Sequence, residues 1–441
     1  MQARVVARPA ATASRPPAPG KPKHADLMGT ASPELSRAGA RRVHYPALDG
    51  LRGLAFLGVL VFHCQSFLLG GGFVPVCLRA VVARGYLGVD LFFVLSGFLI
   101  TGILHDSRLA EHRFRNFYAR RFLRIFPLYY GVLALLLVSL TAYRLIDPAA
   151  YARSHHLPTL WAAQPWLWAY IANFRAVFGL KMPYFDHFWT LSVEEQFYFV
   201  WPLIVFSLPR RWLIAACTGI IVGAFALRSC LWHWEIPGWS VIFLTPCRVD
   251  TFAAGALVAL LFRGDAVSRT RMRLAGWTCI ATGAWLFVTL IVLPIVASES
   301  AAARGTGISA AQAPLLANFS FTVQALFFAS LIALCLRPHR LTAHLYRVFS
   351  LRPLRAIGGY SYGMYVFHVA VLVAFASAIR KFPALNHYIL HSPLAGLFVI
   401  FLIFWVTFAI AAASFHLYEK HFLRLKRYFP EGGPRAAVAA K

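Results

Sequence analysis

Long apolar runs, separated by short polar and basic segments, are the main pattern of the chain. Ten of these runs come near the ~20 residues that a helix needs to cross a bilayer. They lie at residues 48–69, 86–104, 125–143, 188–208, 212–232, 250–262, 274–296, 316–336, 357–379 and 394–418. The pattern therefore predicts about ten transmembrane helices. A further apolar stretch, 161–173, is short and rich in tryptophan, and we interpret it as interfacial or re-entrant.

Composition supports this interpretation. The 441 residues are 59% hydrophobic and 13% charged, with a mean hydropathy of +0.63, which is too apolar for a soluble protein of this length. We predict an all-α, polytopic integral membrane bundle, with membrane lipids as partners. The formal net charge of +27 does not indicate nucleic-acid binding, because the basic residues lie between apolar runs instead of forming a compact domain. The seven cysteines show no CxxC pair or His/Cys ligand spacing, so no metal site is predicted.

Three regions follow from the same pattern. Residues 1–44 are rich in Ala, Pro, Arg and Ser without an apolar run, and we predict a disordered basic cytoplasmic tail that is neither a signal nor an anchor. Residues 45–420 form the predicted transmembrane domain, and 421–441 a short basic cytoplasmic tail. Lysines and arginines are concentrated in alternate loops, which predicts that both termini are cytoplasmic, provided that 161–173 does not cross.

Two ionisable residues in the first run stand out. Arg52 and His63 are eleven residues apart, roughly three helical turns or about 16 Å, so both project from one face. An ionisable residue inside a membrane span is by default a candidate for function. The alternative is that Arg52 reaches lipid phosphate and His63 makes an interhelical hydrogen bond.

Further polar residues interrupt later spans. We predict that they lie in the outer half or the middle of the bilayer and face one cavity. They are Asp90, Glu194, Glu195, Arg248 and Asp250, together with His63 of the first span. Ser96 and His368 are placed near the middle of their own spans. Adjacent helical residues diverge by about 100°, so only one of Glu194 and Glu195 is expected to face the interior. The alternative is a set of unrelated buried ion pairs.

Arginines are concentrated at the start of the third span. Arg120, Arg121 and Arg124 have the i,i+3 and i,i+4 spacing that clusters side chains on one side of a helix, and guanidinium groups suit phosphate oxygens. The alternative is that they satisfy the positive-inside preference and bind lipid headgroups.

Several of these segments, taken in order, resemble a known family. They are YPALDGLRGLAFLGVLVFH, GYLGVDLFFVLSGFLIT, FYARRFLRIFPLYY, FWTLSVEEQFYFVWP, CRVDTFAAGAL and YSYGMYVFHVAVL. Between about residues 45 and 418 the chain resembles the membrane-bound acyltransferase 3 family. The family's Arg-x10-His signature falls on Arg52 and His63, and its arginine motif on Arg120, Arg121 and Arg124. The common form WSLSVEEQF differs here in one position, because Thr190 replaces the first serine.

The resemblance implies an integral membrane O-acyltransferase in the cell inner membrane. It would move an acyl group, most often acetyl, from cytoplasmic acyl-CoA to a hydroxyl of a cell-surface or secreted glycan such as an O-antigen polysaccharide. Acyl-CoA is then a co-substrate, and no tightly bound cofactor is expected. Some members carry an extracytoplasmic hydrolase-like domain after the last span, whereas this sequence ends soon after Arg427, so the chemistry is expected in the membrane part.

Under this hypothesis the residues take three roles. His63 is the general base or an acyl-accepting nucleophile, and Asp90, Glu194 or Glu195 orients its imidazole. Donor binding falls to four arginines, namely Arg52, Arg120, Arg121 and Arg124. The acceptor cavity is assigned to Ser96, Arg248, Asp250 and His368. The alternative function is a proton-coupled transporter or flippase of envelope precursors, because His and Glu within spans also build proton relays, although no internal repeat is evident.

Overall fold

A computed structural model describes residues 44–69, 75–154, 156–236, 238–262, 268–293, 295, 314–337 and 342–430. The chain divides into two units, 1–42 and 43–441, and all of the described residues belong to the second. The predicted tail 1–44, except for His44, and residues 431–441 of the predicted C-terminal tail lie outside the described residues.

Ten helices of 14 residues or more, and no strand, are found in the described ranges. They are α1 (Pro46–His63), α2 (Leu87–Asp106), α3 (Arg113–Ile146), α4 (Trp189–Ser207), α5 (Arg210–His233), α6 (Val249–Phe262), α7 (Arg269–Phe287), α8 (Pro314–Cys335), α9 (Arg352–Arg380) and α10 (Pro393–Ser414). Each coincides with one of the ten predicted spans. The predicted all-α fold is therefore confirmed.

The number of crossings needs a correction. By length and composition, eight helical segments of the described chain can cross a membrane, and α4 and α6 are not among them. Helix α6 has 14 residues, or about 21 Å, which is shorter than the hydrocarbon core. Helix α4 is long enough, but Glu194 and Glu195 lower its hydropathy. The chain is a multi-pass membrane protein. The helix that is too short, α6, and the helix that is not apolar enough, α4, both carry candidate site residues.

Helix α3 begins twelve residues before the predicted span, at Arg113 instead of residue 125. Its 34 residues extend about 51 Å, so it is longer than the ~30 Å hydrocarbon core. The three candidate arginines are consequently held on a regular helix and not on a loop.

The tryptophan-rich stretch forms two short helices, Leu157–Trp168 and Ala172–Val177, joined at Tyr170, whose φ is 54°. Twelve residues reach only about 18 Å, which agrees in length with an interfacial segment. Hydrogen bonds from Tyr129 to the Leu167 carbonyl (2.8 Å) and from Tyr130 to the Trp168 carbonyl (3.0 Å) hold it against α3.

Glycines allow two pairs of helices to approach closely. A Cβ atom on Gly53 would lie 2.2 Å from the Leu354 carbonyl oxygen, so α1 and α9 touch backbone to backbone. A Cβ atom on Gly97 would likewise lie 2.0 Å from the Phe252 carbonyl oxygen, where α2 meets α6. Small residues commonly create such contacts between membrane helices. The first contact sets the distance between α1 and α9, and the second sets the distance between α2 and α6.

Candidate active site

A cavity of about 770 Å³, its opening to solvent included, lies between α1, α2, α3, α4 and α9. Its charged and polar lining consists of Arg52, Ser96, Arg121, Arg124, Thr190, Glu194, Glu195, Tyr198, Ser361, Tyr362 and Tyr365. The structure thus brings together six of the predicted site residues from four helices.

Three guanidinium groups share this cavity. Arg52 comes from α1, and Arg121 and Arg124 come from α3. Among the described residues, none of the three has a hydrogen bond or an ion pair, although Arg121 lies 5.2 Å above the Tyr198 ring. Guanidinium groups whose donors are free can form paired hydrogen bonds to phosphate or carboxylate oxygens. The arrangement is suited to an anionic ligand.

Arg120 does not belong to this group, contrary to the prediction. It points away from the cavity and donates to the carbonyl oxygens of Lys426 (3.2 Å) and Phe429 (3.0 Å). Both Arg120 and Arg121 line a smaller cavity beside Asn116 and Pro430, but only Arg121 also reaches the first cavity, since successive helical residues point about 100° apart. Arg120 therefore holds the segment around residues 426–429 against α3.

Both glutamates line the cavity, which corrects the expectation that only one of them would. The cavity is wide enough along α4 for both side chains to reach it, although they leave the helix about 100° apart. Glu194 accepts hydrogen bonds from Ser96 and Tyr198 through the same oxygen, Oε1. Glu195 makes no hydrogen bond within the described part of the chain. One carboxylate is therefore held in place, and the other is available to a ligand.

The prediction of a single cavity does not hold for Asp90, Arg248 and Asp250. Asp90 forms an ion pair with Arg248, and Asp250 Oδ2 lies 2.8 Å from Arg228 Nη1. All four side chains are at most 4% exposed, and none lines the cavity. The close contact of α6 with α2 at Gly97 directs these charges towards each other, so the alternative of buried ion pairs applies to this cluster.

Three histidine rings meet beside the cavity. The ring centroids of His63 and His368 are 5.0 Å apart, those of His187 and His368 are 4.9 Å apart, and those of His63 and His187 are 6.3 Å apart. His368, which was predicted to line the acceptor cavity, instead belongs to this histidine cluster.

Hydrogen bonds fix the tautomers of two of these rings. His63 Nδ1 lies 2.9 Å from the Val59 carbonyl oxygen, and His368 Nδ1 lies 2.7 Å from the Tyr365 carbonyl oxygen. A carbonyl oxygen only accepts, so each Nδ1 carries its proton and each Nε2 is left with a lone pair. His368 Nε2 lies 3.4 Å from His63 Nδ1 and can accept from it. Neither Asp90 nor Glu194 bonds to His63, so a carbonyl and a second histidine take the orienting role predicted for a carboxylate.

Tyr365 and Thr190 separate the cavity from the histidine cluster. Both line the cavity, and their hydroxyl oxygens are 2.7 Å apart. Thr190 donates to the His187 carbonyl oxygen at 2.9 Å, and the Tyr365 ring contacts the His187 ring, with centroids 5.5 Å apart. The threonine that replaces the family's serine keeps the hydroxyl needed here.

Sequence reasoning missed two ionisable residues of these clusters. Arg228 lies within the fifth apolar run, four residues before its end, and His187 lies at the edge of the fourth. Both carry the signal used for Arg52, an ionisable side chain in or beside a span. That signal could have found them.

Comparisons with known proteins agree with the motifs. The acyltransferase 3 family model, described as "Acyltransferase domain", matches residues 45–412. The peptidoglycan O-acetyltransferase OatA of Listeria monocytogenes is 27% identical over 344 residues, which are 75% of this chain and 50% of the relative. The O-acetyltransferase OatA of Staphylococcus aureus is 27% identical over 338 residues, 75% of this chain and 51% of the relative.

The chain thus spans about half the length of the curated relatives it matches. No solved structure matches it. The relatives' names do not support the transporter alternative. The family match covers most of the chain, including every motif from Arg52 to His368, and the chain belongs to the acyltransferase 3 family.

Proposed function

We propose that this chain is a membrane O-acyltransferase that moves an acyl group, acetyl in the first instance, from cytoplasmic acyl-CoA to a hydroxyl of an envelope glycan. The observation that carries the proposal is the cavity, in which Arg52, Arg121 and Arg124 have no ion pair among the described residues. It reaches Tyr365, whose ring contacts His187 and His368, the two histidines that lie against His63. Family membership supports the reaction class.

Coenzyme A fits the chemistry of the cavity. Its phosphates supply several negative charges for the three guanidinium groups, and its thioester arm is narrow and uncharged. The volume of about 770 Å³ falls within the range of small-molecule sites. In this arrangement the phosphates lie at the arginine-rich end of α3, on the cytoplasmic side, and the acyl group points towards Tyr365 and Thr190.

His63 then acts as the base. Its Nε2 lone pair takes the proton of the acceptor hydroxyl as the hydroxyl oxygen attacks the thioester carbonyl. The new C–O bond forms, the C–S bond breaks, and the proton passes to the departing CoA thiolate. His368 Nε2, 3.4 Å from His63 Nδ1, supports the transient imidazolium. Tyr365 and Thr190 separate the cavity from the histidine cluster, so the transfer requires these two side chains to move.

The acceptor would be a glycan on the far side of the cell inner membrane, with both termini of the chain in the cytoplasm. The Listeria relative is named for peptidoglycan, which makes peptidoglycan fragments the first acceptors to try, and O-antigen oligosaccharides the second.

Acceptor-dependent release of CoA tests the proposal. Purified protein in nanodiscs receives acetyl-CoA with and without each acceptor, and free CoA and acetylated glycan are measured. We expect equal amounts of both products, and neither from His63→Gln protein. If the unmodified glycan is carried across proteoliposomes and no acetyl group moves, the protein is a transporter.

The acyl-histidine variant of the mechanism has its own signature. If His63 Nε2 attacks the thioester first, acetyl-CoA alone should give a burst of CoA equal to the amount of enzyme and leave a labelled protein. Direct transfer predicts no burst.

A further inference from the structure

A third carboxylate lies on the far side of Arg124. Glu419 ends the π-helical turn Phe415–Glu419 that continues α10, and it is 9% exposed. Ser414 Oγ donates to its Oε1 at 3.1 Å. Sequence analysis did not single it out, because it follows the last predicted span.

Glu419 lines a second cavity of about 330 Å³, between α3, α9 and the end of α10. Arg124 and Tyr362 line this cavity as well as the first. Arg124 is therefore placed between two acidic regions, with Glu194 and Glu195 on one side and Glu419 on the other. The Glu419 carboxylate is within electrostatic reach of the Arg124 guanidinium, although the two do not form an ion pair.

The surroundings hold Glu419 in this place. The hydroxyl of the neighbouring Tyr418 donates to the Pro127 carbonyl oxygen of α3 at 3.2 Å. On α9, a Cβ atom at Gly363 would lie 3.6 Å from Glu419 Oε1 and 3.2 Å from Ala411 Cβ, so the glycine keeps the carboxylate close to that helix. Single π-turns within helices frequently occur at functional sites.

We propose that Glu419 is the internal counter-ion of Arg124 and weakens the hold of the cavity on anionic donor and product. The inference rests on the proposed function, since it concerns the same anion site. Without the charge of Glu419, the three guanidinium groups would hold free CoA as firmly as acyl-CoA, and tight product binding slows turnover. A fixed carboxylate behind one of them lowers the local positive potential and favours CoA release.

Direct binding of CoA to protein in nanodiscs tests this role. Glu419→Gln keeps the shape and removes the charge, so the Kd for CoA should fall about tenfold, with a lower KM for acetyl-CoA and a lower kcat as release becomes slow. Glu419→Asp keeps the charge and should return Kd and kcat most of the way to wild type. The exposed Glu111→Gln is the matched control and should change neither.

The outcomes separate the two proposals. If Arg124→Ala weakens CoA binding but Glu419→Gln leaves Kd unchanged or raises it, the counter-ion role is overturned and the donor site stands. If Arg121→Ala and Arg124→Ala both bind CoA like wild type, the proposed donor site itself is wrong.

A second variant tests the same proposal if Glu419→Gln does not fold. Should Glu419→Gln fail to give folded protein, Ser414→Ala frees Glu419 from its hydrogen bond and lets it turn towards Arg124. The Kd for CoA should then rise at least twofold, and an unchanged Kd in the folded variant would overturn the proposal.

Discussion

Two clusters of arginine and carboxylate side chains can be compared in the described part of the bundle, and they differ in how their charges are matched. Arg248 is paired with Asp90, and Arg228 is paired with Asp250. In the cavity cluster, Arg52, Arg121 and Arg124 occur with Glu194 and Glu195, but no ion pair joins them.

The difference has a physical consequence. Arg228 also donates to Asn318 at 2.8 Å and to Thr322 at 2.7 Å, so its donors are used within the protein. Charges matched in this way have little left to offer a ligand, and breaking one pair exposes a buried charge. Unmatched guanidinium groups beside an open cavity gain most when an anion arrives. Charged residues within a membrane therefore divide into structural and functional ones by the contacts they make, since residue type is the same in both clusters.

His63→Gln should have the largest effect on turnover. Glutamine retains a hydrogen bond but cannot accept a proton at neutral pH, so turnover should fall by about 10²–10⁴-fold while expression and CoA binding persist. Acetyl transfer and CoA binding are measured on the same nanodisc preparation.

The exposed His112→Gln is the control and should behave as wild type. Near-normal turnover of His63→Gln would reduce the imidazole to a packing role and would move the search for the base to Glu195.

Arg228→Met should lower the stability of the protein without affecting the cavity cluster. It leaves Asp250 buried without its partner, which typically costs about 3–5 kcal/mol. We expect a lower thermal unfolding temperature, whereas the folded fraction should bind CoA with unchanged affinity.

The double variant Arg228→Met/Asp250→Asn should recover part of the lost stability, because it removes the unpaired charge. A Kd for CoA that rises in step with the loss of stability would argue that the paired cluster takes part in donor binding.

Arg121→Ala should give the opposite pattern. We expect the KM for acetyl-CoA to rise about tenfold, in keeping with the loss of one charge-assisted contact of roughly 1.5 kcal/mol or slightly more, with little change in unfolding temperature. Steady-state kinetics at varied acetyl-CoA measures it, and Arg347→Ala on an exposed helix is the control. An unchanged KM would show that Arg121 does not bind the donor and would leave only the general preference for arginine at membrane boundaries to explain it.

Arg120→Ala should have the smallest effect on the donor. Its guanidinium binds the carbonyl oxygens of Lys426 and Phe429, so its loss should loosen the segment after the last helix and leave the KM for acetyl-CoA within about twofold. Limited proteolysis near residue 426 and donor kinetics are measured together. A tenfold rise in KM would show that Arg120 reaches the donor after all.

The sequence by itself determined the class of protein and the positions of its helices. A run of about 20 apolar residues can satisfy its own backbone hydrogen bonds in lipid by forming a helix. The local pattern of apolar residues was therefore sufficient to place the helices. The ordered motifs from Arg52 to His368 determined the family, and the same ionisable residues identified the candidates for function.

Only the tertiary structure decided which candidates share a site. Asp90 and Glu194 look alike in sequence, yet the backbone contact at Gly97 directs α6 against α2 and gives Asp90 an arginine partner, whereas Glu194 faces the cavity. His187 and His368 join His63 from segments more than 100 residues away in sequence. Pairing between distant helices depends on their crossing geometry, which hydropathy and spacing along one helix do not contain.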